Sequence, residues 1–149
     1  MESGTPWRDT AWAMSQENLE LAARWYEPWA AGKSELLTDM PRISELCHQN
    51  VEWSQREEGW THHGREGVRE ALETWLESFD EYKYEVQQMI DCGGDEVLVV
   101  GVEVGRGATS RVEVRSVSYE LLTIRDGKIV RFREFHEESE ALEAAGLRE

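Results

Sequence analysis

The chain has 149 residues with 16 Lys and Arg against 31 Asp and Glu, a formal charge of −15. That excess of negative charge repels phosphate backbones and anionic lipid, so nucleic-acid and membrane-surface roles are disfavoured. A hydrophobic share of 40% with seven Trp supplies one core without staples, since a single domain of this size buries about 68 to 70% of its unfolded surface.

The longest apolar stretch, Val97 to Val102, falls far short of the roughly 18 residues of a spanning helix. The N-terminus lacks a basic-then-apolar signal pattern, so a cytoplasmic location is expected. Cys47 and Cys92 lack paired metal-ligand spacing and are too few for a disulfide framework. They read as reduced thiols, and neither metal nor cofactor is expected.

In chain order, residues 1–13 mix Gly4, Pro6, Trp7 and Trp12 without periodicity and read as a separate N-terminal arm. One domain then fills 14–149. A helix starts at Ser15, carries Leu19, Ala22, Trp25, Tyr26 and Trp29 on one stripe, and stops at Gly32. Pro28 should loosen its last turn. Ser34 caps a second helical stretch with Leu36, Leu37, Met40, Ile43 and Leu46, restarted at Pro41. Val51 to Ser54 reads as a short strand, and a polar loop follows through Gly59.

A third helix over about 65–79 places Val68, Ala71, Leu72, Trp75, Leu76 and Phe79 on one face, and Trp75 is expected in the core. Beyond Asp80 the period changes to two, giving four long antiparallel strands around Tyr84–Ile90, Val97–Val104, Val112–Ile124 and Ile129–Phe135. A last short helix, Ser139 to Ala145, closes at Gly146. Helices first and a meander afterwards mean an α+β domain, with helices covering one face of a curved sheet.

The final hairpin can be registered in two ways. A two-residue loop of Asp126-Gly127 pairs Arg125 with Lys128 and mixes polar and apolar residues on one face. A three-residue loop pairs Ile124 with Lys128, Leu122 with Val130 and Glu120 with Phe132, which segregates them. On that second register Ser118, Glu120, Leu122, Ile124, Val130, Phe132, Glu134 and His136 face inward, and Arg131 and Arg133 outward. Two carboxylates and a histidine then share one apolar concavity. A buried carboxylate must find a donor or take up a proton, which is how sites acquire general acids. The alternative is that Glu120 or Glu134 lies solvated at the rim of the sheet or pairs with an arginine of a neighbouring chain.

Several segments together resemble the SnoaL-like branch of the nuclear-transport-factor-two-like superfamily. They are Met14-Ser15-Gln16-Glu17-Asn18, Arg24-Trp25-Tyr26 with Trp29 and Gly32, Val51-Glu52-Trp53, Gly64-Arg65-Glu66-Gly67-Val68-Arg69, Arg125-Asp126-Gly127-Lys128-Ile129, and the tail from Glu140 to Leu147. The resemblance implies a cone: a strongly curved antiparallel or mixed sheet wrapped around N-terminal helices, with one internal pocket, paired as a homodimer through the outer sheet face. The superfamily includes polyketide cyclases, ketosteroid isomerases, epoxide hydrolases, dehydratases and non-catalytic modules, so fold alone does not fix function.

Carried over by residue, the cyclase acid/base carboxylate matches Glu134, and the pocket histidine of the preceding strand matches Glu120. The protonated oxyanion-hole acid of the isomerases also matches Glu120. The isomerase base falls at Trp53 and its oxyanion tyrosine at Trp25, both departures, and the Asp-Arg-Asp set of the limonene epoxide hydrolases is absent. The 18 residues between Gly32 and Val51 are longer than the family pattern.

The expected ligand is a small hydrophobic molecule. Glu134, Glu120 and His136 are the candidate catalytic residues. Trp25, Trp29, Trp53, His62, Ser118 and Phe132 are the candidate ligand-binding residues, with a solvated loop as the plainer reading of His62-His63. The rival to an enzyme is a non-catalytic binding or dimerisation module.

Overall fold

The computed structural model describes residues 6–147, with side chains from Ser15 onward. Helix α1 spans Pro6–Ala31, so it begins ahead of the Ser15 signal. Residues 1–5 of the expected arm lie outside the described residues, as do the side chains of Trp7 and Trp12. The α1 stripe is buried as its spacing predicts: Leu21, Ala22, Trp25, Tyr26 and Trp29 are all core.

Its end is built around two residues. Gly32 takes φ +71, letting Lys33 N–H reach the Pro28 carbonyl at 3.0 Å and close the last turn. Pro28 has no N–H, so the Arg24 carbonyl one turn back loses its helical donor. Arg42 fills the gap: its Nη2 donates to the carbonyls of Arg24 at 2.7 Å and Trp25 at 2.8 Å, with the guanidinium 5.3 Å from the Trp25 ring centre.

Arg42 is held there by the short helices α2 (Ser34–Leu37) and α3 (Met40–Leu46). Asp39 caps α3, accepting from Arg42 N–H at 3.0 Å, and Pro41 occupies its first turn, where no donor is needed. Strand β1 runs Cys47–Gln55, longer than the Val51–Ser54 expected. The presumed loop beyond it contains a strand, β2 (Trp60–His63), paired antiparallel with β1 so that His62 faces Trp53. The solvated-loop reading of His62-His63 is therefore corrected: alternation splits the pair, leaving His62 partly buried and His63 exposed.

Helix α4 (Gly64–Glu77) leads into β3 (Phe79–Asp91), β4 (Glu96–Gly107), β5 (Glu113–Arg125), β6 (Lys128–Phe135) and α5 (Glu138–Ala144). The six strands form one open sheet in the order β2-β1-β6-β5-β4-β3, with β1 and β6 parallel and every other pair antiparallel. This is the α+β cone expected, with the sheet mixed rather than wholly antiparallel. The main core joins α1, α3 and α4 to the inner sheet face. A second, smaller cluster puts Ala141 and Ala145 of the α5 end over Leu98 and Leu121 on the outer face. Both cysteines are free, Cys47 buried and Cys92 partly so.

The β5–β6 hairpin follows neither predicted register throughout. Arg125 pairs with Lys128 and Ile124 with Ile129, but Thr123 then pairs with Arg131, so Val130 is an extra residue in a β-bulge. Beyond it Leu122 faces Phe132 and Glu120 faces Glu134. A regular ladder through the same residues would set Arg131 against Leu122 and Arg133 against Glu120. The bulge keeps both arginines off the inner face, and it replaces Val130 there with Ile129, which is fully buried.

Candidate functional site

Three carboxylates come together at the inner end of a cleft. Glu120 on β5 and Glu134 on β6 are register partners, while Glu103 comes from β4. Three tyrosines meet this group. Tyr26 of α1 donates its hydroxyl to Glu120 Oε1, and Tyr82 of β3 donates to Glu103 Oε2 at 3.0 Å. Tyr84 donates to the Ser118 carbonyl at 3.0 Å. Tyr84 can lie there only because position 101 is glycine: a Cβ on Gly101 would overlap the Tyr84 ring.

Burial dominates the electrostatics. It raises the Glu120 carboxyl, with the Glu134 charge adding to the rise and the Tyr26 hydrogen bond opposing it, to about 8. Burial likewise lifts Glu134 to about 7, with further repulsion from Glu103 and Glu58. Glu103 is raised by burial and relieved in part by Tyr82. Tyr26 is pushed well above its ordinary range, so it remains a neutral donor. Near neutrality this floor holds protons that ordinary carboxylates would have lost.

From the floor a path of groups leads outward. His136 Nε2 lies 3.9 Å from Glu134 Oε1 and 3.6 Å from Glu58 Oε2, with its side chain 41% exposed against 16% for Glu134. The cleft above has a volume of about 750 Å³. Trp53 and Trp60, 5.1 Å apart and near perpendicular, stand on one side of it. Trp75, Phe79 and Tyr82 are mutually packed on the other. Trp75 is thus not core: its ring is 40% exposed in the cleft.

The candidate residues divide by depth. Glu134, His136, Trp53 and His62 line the open cleft. Glu120, Ser118 and Trp29 border a void of about 20 Å³ behind it, together with Glu103 and Tyr84. Trp25 and Phe132 pack against each other at 5.0 Å and reach only a void of about 10 Å³, so they support the floor from the core side. Trp29 and Trp53 each bury an indole Nε1 that has no hydrogen-bond partner.

Sequence reasoning missed Tyr26, Tyr82, Tyr84 and Glu103. For Glu103 a signal existed: it continues the inward parity of Val97 and Val99 in an otherwise apolar strand. Among the described residues no three His, Cys, Asp or Glu side chains converge as a metal site, and no helix is long and apolar enough to cross a membrane.

An open mixed sheet wrapped over helices, with a cleft ending on its inner face, defines the nuclear-transport-factor-two-like cone fold. The chain belongs to the SnoaL-like domain family, whose model matches residues 22–132. Among solved structures it is similar to a putative SnoaL-like polyketide cyclase from Jannaschia sp. CCS1, at 16% identity and TM-score 0.71, over 99% of this chain and 98% of that one. TerC co-crystallized with polyporic acid matches at 21% identity and TM-score 0.66, over 87% of this chain and 98% of that one. A hypothetical protein with a ketosteroid isomerase-like fold from Catenulispora acidiphila DSM 44928, in complex with trimethylamine, matches at 16% identity and TM-score 0.66, over 86% of this chain and 93% of that one. No curated protein matches the chain.

Proposed function

We propose that the protein binds a small, largely apolar molecule in the cleft and moves protons on it without a cofactor, in a cyclisation or isomerisation. The observation that carries this reading is the facing pair Glu120 and Glu134 at the inner end of an aromatic cleft, where burial raises both carboxyls toward neutrality. Glu134, nearer the open cleft, acts as general acid/base. Glu120 accepts from Tyr26 through one oxygen and, when protonated, offers its own O–H to a developing oxyanion. The unpartnered indole N–H groups of Trp29 and Trp53 add donors for a substrate oxygen beside that void. His136 passes protons between Glu134 and the solvent.

The test is turnover of polycyclic and aromatic ketone candidates by wild type, Glu134→Gln and Glu120→Gln. Loss of turnover in both variants with ligand binding retained is the expected result. Unchanged turnover in both overturns the assignment.

A non-catalytic receptacle is the second reading, favoured by Trp53 standing where the isomerases place their base. It predicts binding without turnover in wild type as well. Pairing through the outer sheet face belongs to the same proposal, and Val117 on that face is 47% exposed. Light scattering of the purified chain tests it, with a monomer mass counting against it.

A further inference from the structure

Resting on the proposed use of this cleft, we infer that its ligand carries a cationic amine, held between the aromatic walls and the carboxylate floor. Among the described residues the lining carries four carboxylates, from Glu58, Glu70, Glu103 and Glu134, and no Lys or Arg. Glu58 and Glu70 are exposed at the mouth, whereas Glu103 and Glu134 are partly buried at the floor. A cation entering from solvent therefore meets carboxyl groups along its whole path, and the chain's charge of −15 draws it in.

Two observations independent of the acids point to a ligand of this kind. The first is the walls. Trp53 with Trp60 and Trp75 with Phe79 meet at steep angles, 77° and 67°, so the rings that line the cleft lie in several planes around it. Ring faces attract an ammonium through their quadrupoles, most strongly when desolvated. Trp75 keeps 40% of its surface uncovered at this spot, an exposure that costs apolar burial and that a bound ligand removes. The second is Trp29, only 6% exposed, whose Nε1 lacks any partner beside the void that Glu103, Glu120 and Glu134 share. The deep end thus holds an unused donor for an oxygen of the same molecule.

A cation also relieves the mutual repulsion of the floor carboxyls. Three carboxyls crowded at the floor repel one another when ionised, and an ammonium among them stabilises the charged forms. An anionic ligand would add to that repulsion. A neutral one would leave it unchanged.

Charge-matched isosteres decide the matter: 2-naphthylmethylamine, 2-naphthylmethanol and 2-naphthoate, titrated by calorimetry against the whole chain. At about pH 8 the amine is protonated and the naphthoate ionised, so the three probes share one ring system and differ in charge. The amine should bind at least about 10-fold more tightly than the alcohol, as expected for a partly desolvated cation over aromatic faces beside carboxylates. That advantage should shrink as salt is raised. Glu103→Gln should weaken the amine several-fold and narrow its advantage over the alcohol, and Trp60→Leu should weaken both ligands, the amine more.

Equal affinity for amine and alcohol, or tighter binding of the naphthoate, overturns the inference. If the alcohol binds as well as the amine while Glu134→Gln still abolishes turnover, the amine falls and the acid/base reading stands. If none of the three binds, the inference falls, and turnover by the Glu134 and Glu120 variants still decides the acid/base reading. Should either variant fail to fold, the wild-type comparison alone still decides.

Discussion

Tyr26 and Glu120 lie 94 positions apart in the chain, yet the hydroxyl of one donates to the carboxyl of the other. The contact ties the first helix to the centre of the sheet and sets how Glu120 titrates. Of the influences on that carboxyl, Tyr26 is the one that lowers its pKa, against burial and two neighbouring acids that raise it. Tyr26→Phe should therefore push Glu120 still higher. It should also cost about 1 to 3 kcal/mol, because a buried acceptor loses its donor. Carboxyl titration by carbon-13 NMR and urea unfolding check the two halves separately.

Stability should fall as pH rises across the neutral range. Unfolded glutamates titrate near about 4.3, whereas burial holds Glu134 at about 7 and Glu120 at about 8 in the folded chain. Between those limits the folded state binds more protons than the unfolded one, so raising pH removes stability. Glu120→Gln should flatten this decline by on the order of 1 kcal/mol or more between about pH 5 and pH 9. Urea midpoints of both proteins across that window measure it. Parallel slopes for the two would contradict the assignment.

Gly101→Ala should cost about 1 to 3 kcal/mol, since the added methyl overlaps the Tyr84 ring and forces it off the Ser118 carbonyl. In a Tyr84→Leu background the same change should cost much less. A double-mutant cycle in chemical denaturation gives the coupling.

Arg42→Met should destabilise the α1 end by about 0.5 to 1.5 kcal/mol, because the Arg24 carbonyl is left to solvent with neither a helical donor nor the guanidinium. Restoring the N–H through Pro28→Ala should recover part of that loss. Thermal unfolding of the single and double variants checks both.

How much of this was legible in the sequence differs by level. Period-two alternation placed Glu120, Leu122, Phe132 and Glu134 on one face, and the resemblance carried the fold. The register was not legible, because alternation reports faces and is silent on an unpaired residue such as Val130. What selects the bulge is the core, which accepts Ile129 and Phe132 and not Arg131. Tyr26 read as one more apolar residue in a helical stripe, since its hydroxyl partner is remote in sequence. Trp75 sat on the core face by spacing, but a helix stripe is wider than the surface it buries, and the cleft opens at its edge.

The Val130 bulge gives the last hairpin one residue of slack. Losing Val130 would close the ladder with Leu122 still opposite Phe132 and Glu120 still opposite Glu134. The strand would then pair without interruption, and the same side chains would line the floor. A shortened β6 thus keeps the polarity of the cleft: this strand can lose a codon without moving its charges.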